Sequence, residues 1–362
     1  MFRKEMSKLK PYIPGKSIEE VMKAYQVVDI VKLASNENPL GPSELAIKSI
    51  QERAPYVHLY PDGSALELRN KLAYKYSVDP NQILIGSGGE QIIKLVAQTF
   101  IDGGDEVIFA NPSFTMYEIM STHIGAKCLS LDLTDDFKHD FDGFKKAITD
   151  RTKLIYICNP NNPTGNIMTN HELNSFLKDI PEHIIVMLDE AYYEYACHDA
   201  TYPNGIEILK TRPNTIVLRT FSKISGLAGM RIAYCFSSAE ITQEMNKIRG
   251  VFNANKLAQH AAVASMDDED HLDKTLKLNK ASMKRMMDYF DEKDLDYVES
   301  HTNFIFVNVK KNSKEVYEAL MKKGVIVRPG FLWGYDDYLR VSTGTVEQTN
   351  KFIQALDETL YL

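Results

Sequence analysis

The stretch Leu154-Ile155-Tyr156-Ile157-Cys158-Asn159-Pro160-Asn161-Asn162-Pro163-Thr164-Gly165 opens on five apolar residues and breaks on two prolines and a glycine. A continuous apolar run of this length suits a strand buried on both faces, as in parallel sheets covered by helices on each side. Runs of similar character recur at Gln82–Gly86, Glu106–Ala110, Lys127–Leu131, Ile184–Leu188, Thr215–Leu218 and Arg231–Phe236. Amphipathic stretches separate them. In Glu90–Ile101, for example, Ile92, Ile93, Val96, Ala97 and Phe100 fall on one helical stripe. Strand–helix alternation with short loops predicts an α/β fold with a mostly parallel seven-stranded sheet.

Outward from that region the character changes. Beyond Gly250, residues 256–295 are rich in Lys, Met, Asp and Leu and nearly free of Gly and Pro, which predicts long helices. A strand (Phe304–Val309), a helix (Ser313–Lys323), short strands near Val325 and Leu339 and a terminal helix from Val346 follow. The expected organisation is an N-terminal arm over 1–29 with one short helix, a large domain over 30–250 and a smaller α+β domain over 251–362. Composition agrees with a globular chain: 362 residues, 44% apolar and 25% charged, with a formal charge of −7 and no basic tract suited to nucleic acid. Cys128, Cys158, Cys197 and Cys235 are widely spaced with no CxxC pair, which reads as reduced thiols. With no apolar signal core at the start and no run long enough for a bilayer, the expected location is the cytoplasm.

Ligands of open α/β sheets bind beyond the carboxyl ends of the strands, so those ends carry the candidate chemistry. Gly86-Ser87-Gly88-Gly89-Glu90 leads into a helix and would bring backbone N–H groups to a phosphate, although such turns also serve tight packing. Three asparagines in Asn159–Gly165 offer more directional hydrogen bonding than a connector needs. Asp189, in Asp189-Glu190-Ala191-Tyr192-Tyr193, is either a helix cap or a carboxylate aimed at a cofactor; buried and unpaired it would be costly. Thr220-Phe221-Ser222-Lys223-Ile224-Ser225-Gly226-Leu227-Ala228-Gly229-Met230-Arg231 is either a solvated loop or a covalent-catalysis lysine beside anion-binding groups. Arg340 is either edge-strand solubility or a fork for a carboxylate or phosphate. No HExxH, GxSxG or GxxxxGK[ST] pattern occurs, which argues against a zinc hydrolase, a serine hydrolase of the elbow type and a P-loop; no metal site is expected.

Taken in order, these motifs resemble the fold-type I aminotransferases dependent on pyridoxal 5′-phosphate. Within them, the chain is similar to the histidinol-phosphate aminotransferase subfamily. Leu9-Lys10-Pro11-Tyr12-Ile13-Pro14-Gly15-Lys16, Lys32–Gly41 and Tyr60-Pro61-Asp62-Gly63 carry that resemblance, with Ile157–Gly165, Thr220–Gly229 and Leu339–Thr345. It implies transamination of L-histidinol phosphate with 2-oxoglutarate in histidine biosynthesis, with pyridoxal 5′-phosphate as cofactor. It implies Lys223 as the covalent lysine and acid/base, Asp189 as partner of the pyridine nitrogen, and Tyr192 and Asn162 as partners of the ring oxygen O3′. Phe114 would stack on the ring. Gly89, Glu90, Thr220, Ser222 and Arg231 would hold the phosphate. Tyr60 would reach the phosphate of a partner subunit, which makes a homodimer the expected assembly. Arg340, Arg328, Asn36 and Tyr12 would meet the substrate.

The chain departs from the subfamily where Gly89-Glu90-Gln91 replaces Ser-Asp-Glu, and loss of the serine hydroxyl implies at most weaker cofactor binding. The same machinery serves aromatic amino acids in some members, and decarboxylation of a phosphorylated amino acid in related enzymes. From another class, a nicotinamide-dependent dehydrogenase would explain the sheet and the glycine turn but would leave Lys223, Asp189 and the asparagines without roles.

Overall fold

The computed structural model describes residues 2–9, 11 and 13–361. Among these, thirteen strands occur in chain order: β1 (Val31–Lys32), β2 (Ile83–Gly86), β3 (Glu106–Asn111), β4 (Lys127–Asp132), β5 (Thr152–Cys158), β6 (Ile185–Asp189), β7 (Thr215–Thr220), β8 (Ala233–Phe236), β9 (Tyr297–Val298), β10 (Phe304–Asn308), β11 (Val325–Ile326), β12 (Arg328–Pro329) and β13 (Tyr338–Ser342). Seven form the main sheet in the order β2-β8-β7-β6-β5-β3-β4. Only β8 runs against its neighbours, pairing antiparallel with β2 and β7. The other pairings are parallel.

The continuous apolar runs are explained by burial on both faces. Ile155, Ile157, Val186, Leu188 and Val217 pack into one core, while Leu154, Tyr156, Met187, Ile216 and Leu218 pack into another on the opposite face. β4 is the edge strand, and its side chains are correspondingly half-buried or exposed. On the second face the helix Gly89–Phe100 buries Ile92, Ile93, Val96 and Ala97 as its stripe requires. A third core gathers the four-stranded antiparallel sheet β12-β13-β10-β9 and the helix Val346–Tyr361.

Packing departs from the expected domain limits at both ends of the large unit. Residues 256–265 form a helix whose Ala258, Ala261 and Ala262 lie in the main-sheet core, so the change of composition near Gly250 is not a change of core. Small side chains let this helix lie close to the main body, and the long helix Glu269–Glu292 then departs towards the third core. At the other end β1 pairs in parallel with β11, and Val31 and Leu33 pack with Ile305 and Val341. The segment just after residue 30 is therefore part of the C-terminal core. The arm also holds more than the expected helix: Lys4–Lys8 is a 3₁₀ turn, and Ile18–Tyr25 is an α-helix closed by a Ser17–Glu20 capping box. Among the described residues, no helix is long and apolar enough to cross a membrane.

Candidate active site

The carboxyl ends of β5, β6 and β7 converge on a cavity of about 230 Å³ roofed by the C-terminal sheet and the segment after β1. Asn162, Asp189, Tyr192, Thr220, Ser222, Lys223 and Arg231 all line it, as do Gly89, Glu90 and Phe114. Arg328 and Arg340 enter from the C-terminal sheet, where they are cross-strand partners on β12 and β13. A second space of about 370 Å³ adjoins it, sharing Phe114, Asn162 and both arginines, and is bounded by Trp333 and arm residues Lys8, Leu9, Pro11 and Ile13. One expected residue is not brought into the cavity. Tyr60 is 78% exposed and stacks on Phe252, with ring centroids 4.5 Å apart. Tyr12 lies outside the described residues.

The asparagine turn divides its labour. Asn159 closes the loop on itself, accepting from the Met168 amide at 2.9 Å and donating to the Met168 carbonyl at 3.0 Å. Asn161 ties the loop to the Pro112 carbonyl at 3.1 Å and to Ser113 at 2.9 Å. Only Asn162 faces the cavity. Its Oδ1 accepts from Arg340 Nη1 at 2.6 Å, which leaves its amide hydrogens for a ligand. The two acids of 189–190 likewise point to opposite faces of the sheet. Glu190 is buried against Arg219, accepting from Nε at 2.8 Å and pairing with Nη2 at 2.7 Å. Asp189 faces the cavity.

Asp189 is 3% exposed and accepts from the Tyr117 hydroxyl at 2.7 Å and the Ala191 amide at 3.0 Å. Neither partner neutralises its charge, and burial raises its pKa to about 6 despite both hydrogen bonds. Lys223 donates to the Ser35 carbonyl at 3.1 Å. Burial, then the nearby charge of Arg340, lowers it to about 8, so a substantial fraction is neutral amine near physiological pH. At the glycine turn the N-terminus of a twelve-residue helix opens on the cavity. Gly88 has φ +83°, and a Cβ there would sit 2.4 Å from Arg231 Nη2, so this position holds the guanidinium against the turn only as glycine. At Gly89 a Cβ would meet Leu218 at 3.4 Å, and its φ is ordinary, so the residue that departs from the subfamily pattern is not forced by sterics. The hydroxyls of Thr220 and Ser222 lie 3.0 Å apart beside this cradle.

A buried carboxylate in want of a cation, a lysine of lowered pKa and an anion cradle of helix N-terminus, hydroxyls and arginine are three separate demands. A protonated pyridine ring carrying an aldehyde and a phosphate meets all three, so the donor set fits pyridoxal 5′-phosphate. The family model described as aminotransferase class I and II matches residues 28–356. The chain belongs to that family. Its cofactor is pyridoxal 5′-phosphate.

This aminotransferase is 45% identical over 360 residues to the histidinol-phosphate aminotransferase of Caldicellulosiruptor saccharolyticus, a match covering 99% of this chain and 100% of the relative. It is 44% identical over 359 residues to that of Moorella thermoacetica, covering 99% and 92%. Among solved structures, the histidinol-phosphate aminotransferase of Sinorhizobium meliloti in complex with pyridoxal 5′-phosphate superposes with a TM-score of 0.91 at 27% identity, covering 99% of this chain and 97% of that one. The family membership removes the dehydrogenase reading. Sequence reasoning missed Tyr117, which reads as a core aromatic on a helix. Gly88 and Ser342 stand within the sequence motifs, but their own contacts are with residues distant in sequence.

Proposed function

We propose that this aminotransferase transfers the amino group of L-histidinol phosphate to 2-oxoglutarate, giving imidazole acetol phosphate and L-glutamate, a step of histidine biosynthesis. The full-length likeness to histidinol-phosphate aminotransferases carries this reading. The paired guanidinium groups of Arg328 and Arg340, on adjacent strands at the cavity, support it as a site for a phosphate or carboxylate.

When bound, pyridoxal 5′-phosphate supplies the electron sink that makes the donor's Cα–H acidic. Lys223 would anchor the cofactor covalently, and its free amine would serve as the acid/base that moves the proton at the donor's Cα. A pKa of about 8 suits both directions of that transfer. Asp189 holds the proton on the ring nitrogen, and this ion pair restores the charge that burial disfavours. Tyr192 and Asn162 would donate to the ring oxygen, and Phe114 would cover the ring face. The amides of Gly89 and Glu90, the hydroxyls of Thr220 and Ser222, and Arg231 take the phosphate. Arg340, held by Asn162, and Arg328 would bind the donor's anion, and Tyr12 is a further expected contact.

The assembly proposed is a cytoplasmic homodimer. Tyr56, Val57, Leu59, Tyr60, Val251 and Phe252 are all exposed, and Tyr60 stacks on Phe252, so apolar side chains from two distant segments meet at the surface. Tyr60 on this face would reach the phosphate site of the partner subunit. The four cysteines are unpaired, in keeping with a reducing compartment.

Steady-state kinetics test the reaction. With L-histidinol phosphate and 2-oxoglutarate varied together, the expected result is one glutamate per donor consumed and parallel double-reciprocal lines, since one amino group is parked on the enzyme between substrates. Absence of glutamate would overturn the assignment of substrates.

A further inference from the structure

Asn36, expected to touch substrate, lines the cavity, and its polar groups are also hydrogen-bonded within the protein. It is 1% exposed and adopts a left-handed backbone, φ 56°, which asparagine tolerates. Its amide N–H donates to Ser342 Oγ at 2.9 Å, and its carbonyl accepts from Asn303 Nδ2 at 2.9 Å. The Ser342 hydroxyl donates to Asn36 Oδ1 at 2.8 Å, and Asn36 Nδ2 donates to the Tyr192 hydroxyl at 2.9 Å.

These four bonds have a fixed direction. Ser342 Oγ already accepts from the Asn36 backbone, and among the described residues Oδ1 is the acceptor recorded for its proton. That orients the side-chain amide, placing Nδ2 against Tyr192. The Tyr192 oxygen must therefore accept, and its own proton meets no acceptor within the described residues, although the side chain lines the cavity.

We propose that Asn36 and Ser342 are positioning residues that set the hydrogen-bond polarity of Tyr192, so that its hydroxyl donates to the ring oxygen of the bound cofactor. The inference rests on the assignment of Tyr192 to that oxygen and adds how its direction is enforced. Burial keeps the Tyr192 hydroxyl protonated by raising its pKa well above the usual range, so the proton is there to donate. The bonds also link β13 of the C-terminal sheet to the end of β6, making the polarity depend on the closeness of the two bodies.

The test is a pH titration of the resting, cofactor-loaded enzyme, followed by the visible absorbance of the Lys223-linked cofactor. A donor to the ring oxygen stabilises its negative charge most when the neighbouring nitrogen has lost its proton, so removing the donor raises the midpoint. Tyr192→Phe should raise it by about one unit. Asn36→Asp, whose carboxylate draws the Tyr192 proton to itself, should raise it by a similar amount. Because that substitution also adds charge, whose through-space effect persists without the phenol, the double variant decides: Asn36→Asp should raise the midpoint clearly less in the Tyr192→Phe background than alone. Additive shifts, or no shift in Asn36→Asp, would overturn the inference. No shift in Tyr192→Phe would instead remove Tyr192 from the ring oxygen, a separate failure. Should Asn36→Asp not fold, Ser342→Ala, which frees the amide to turn, serves in its place; an unchanged midpoint there overturns the proposal.

Discussion

Lys223→Ala abolishes transamination while leaving the fold and cofactor pocket in place. The substitution removes both the covalent anchor and the proton carrier, and a general base alone contributes about 10²–10⁴-fold. The combined loss should therefore be at least about 10⁴-fold. Stability should not suffer, because the ammonium makes one recorded hydrogen bond, to the Ser35 carbonyl, and burial already disfavours its charge. The visible absorbance of the lysine-linked cofactor should vanish, with the thermal unfolding of the apoprotein within a few degrees of wild type. A small primary amine added to the variant should restore part of the donor half-reaction by replacing the missing base. Turnover at the wild-type rate would end the mechanism.

Asp189→Asn should separate stability from catalysis. The carboxylate's pKa is raised from 3.8 to about 6 by burial. A raised acid binds protons in the native state that the unfolded chain has released, so stability falls as pH rises from about 4 to 6, and the full cost stands above pH 6. Two pKa units correspond to about 3 kcal/mol. In the cofactor-free protein at pH 8 the neutral amide carries no such cost. The Tyr117 hydroxyl, which donates to the carboxylate, can turn to accept from the amide instead. Apo Asp189→Asn should therefore be more stable than wild type at pH 8 and equal to it near pH 4, by denaturant unfolding. Loaded with cofactor, it should lose turnover by roughly two to three orders of magnitude, the scale of removing one preorganised electrostatic partner. An unchanged rate would contradict the role of Asp189 at the ring nitrogen.

What the sequence made legible follows from locality. β5, β6 and β7 are runs of apolar residues that end abruptly, with Asp189 closing β6 and Asn162 and Lys223 just past the ends of β5 and β7; each could be found by reading a dozen residues. The helix Lys256–Ser265 packs in the main-sheet core, yet its sequence, free of Gly and Pro, gives no break before the long helix that follows. Its partner, the helix Glu44–Arg53, lies two hundred residues earlier. The polarity of Tyr192 was beyond reach for the same reason: Ser342 and Asn36 are 306 residues apart, and nothing near either one announces the other. Asn36 lines the cavity as its motif implies, and its bonds to Ser342 and Tyr192 join residues that no local pattern connects.

The most direct measurement is a half-reaction on loaded enzyme without keto acid, following loss of the visible absorbance against concentration of L-histidinol phosphate and, separately, L-phenylalanine. Fast, saturable conversion by L-histidinol phosphate is expected, with L-phenylalanine slower by at least about tenfold in kcat/KM, because a phosphate can pair with both guanidinium groups. Equal or preferred conversion of L-phenylalanine would contradict the proposed substrate.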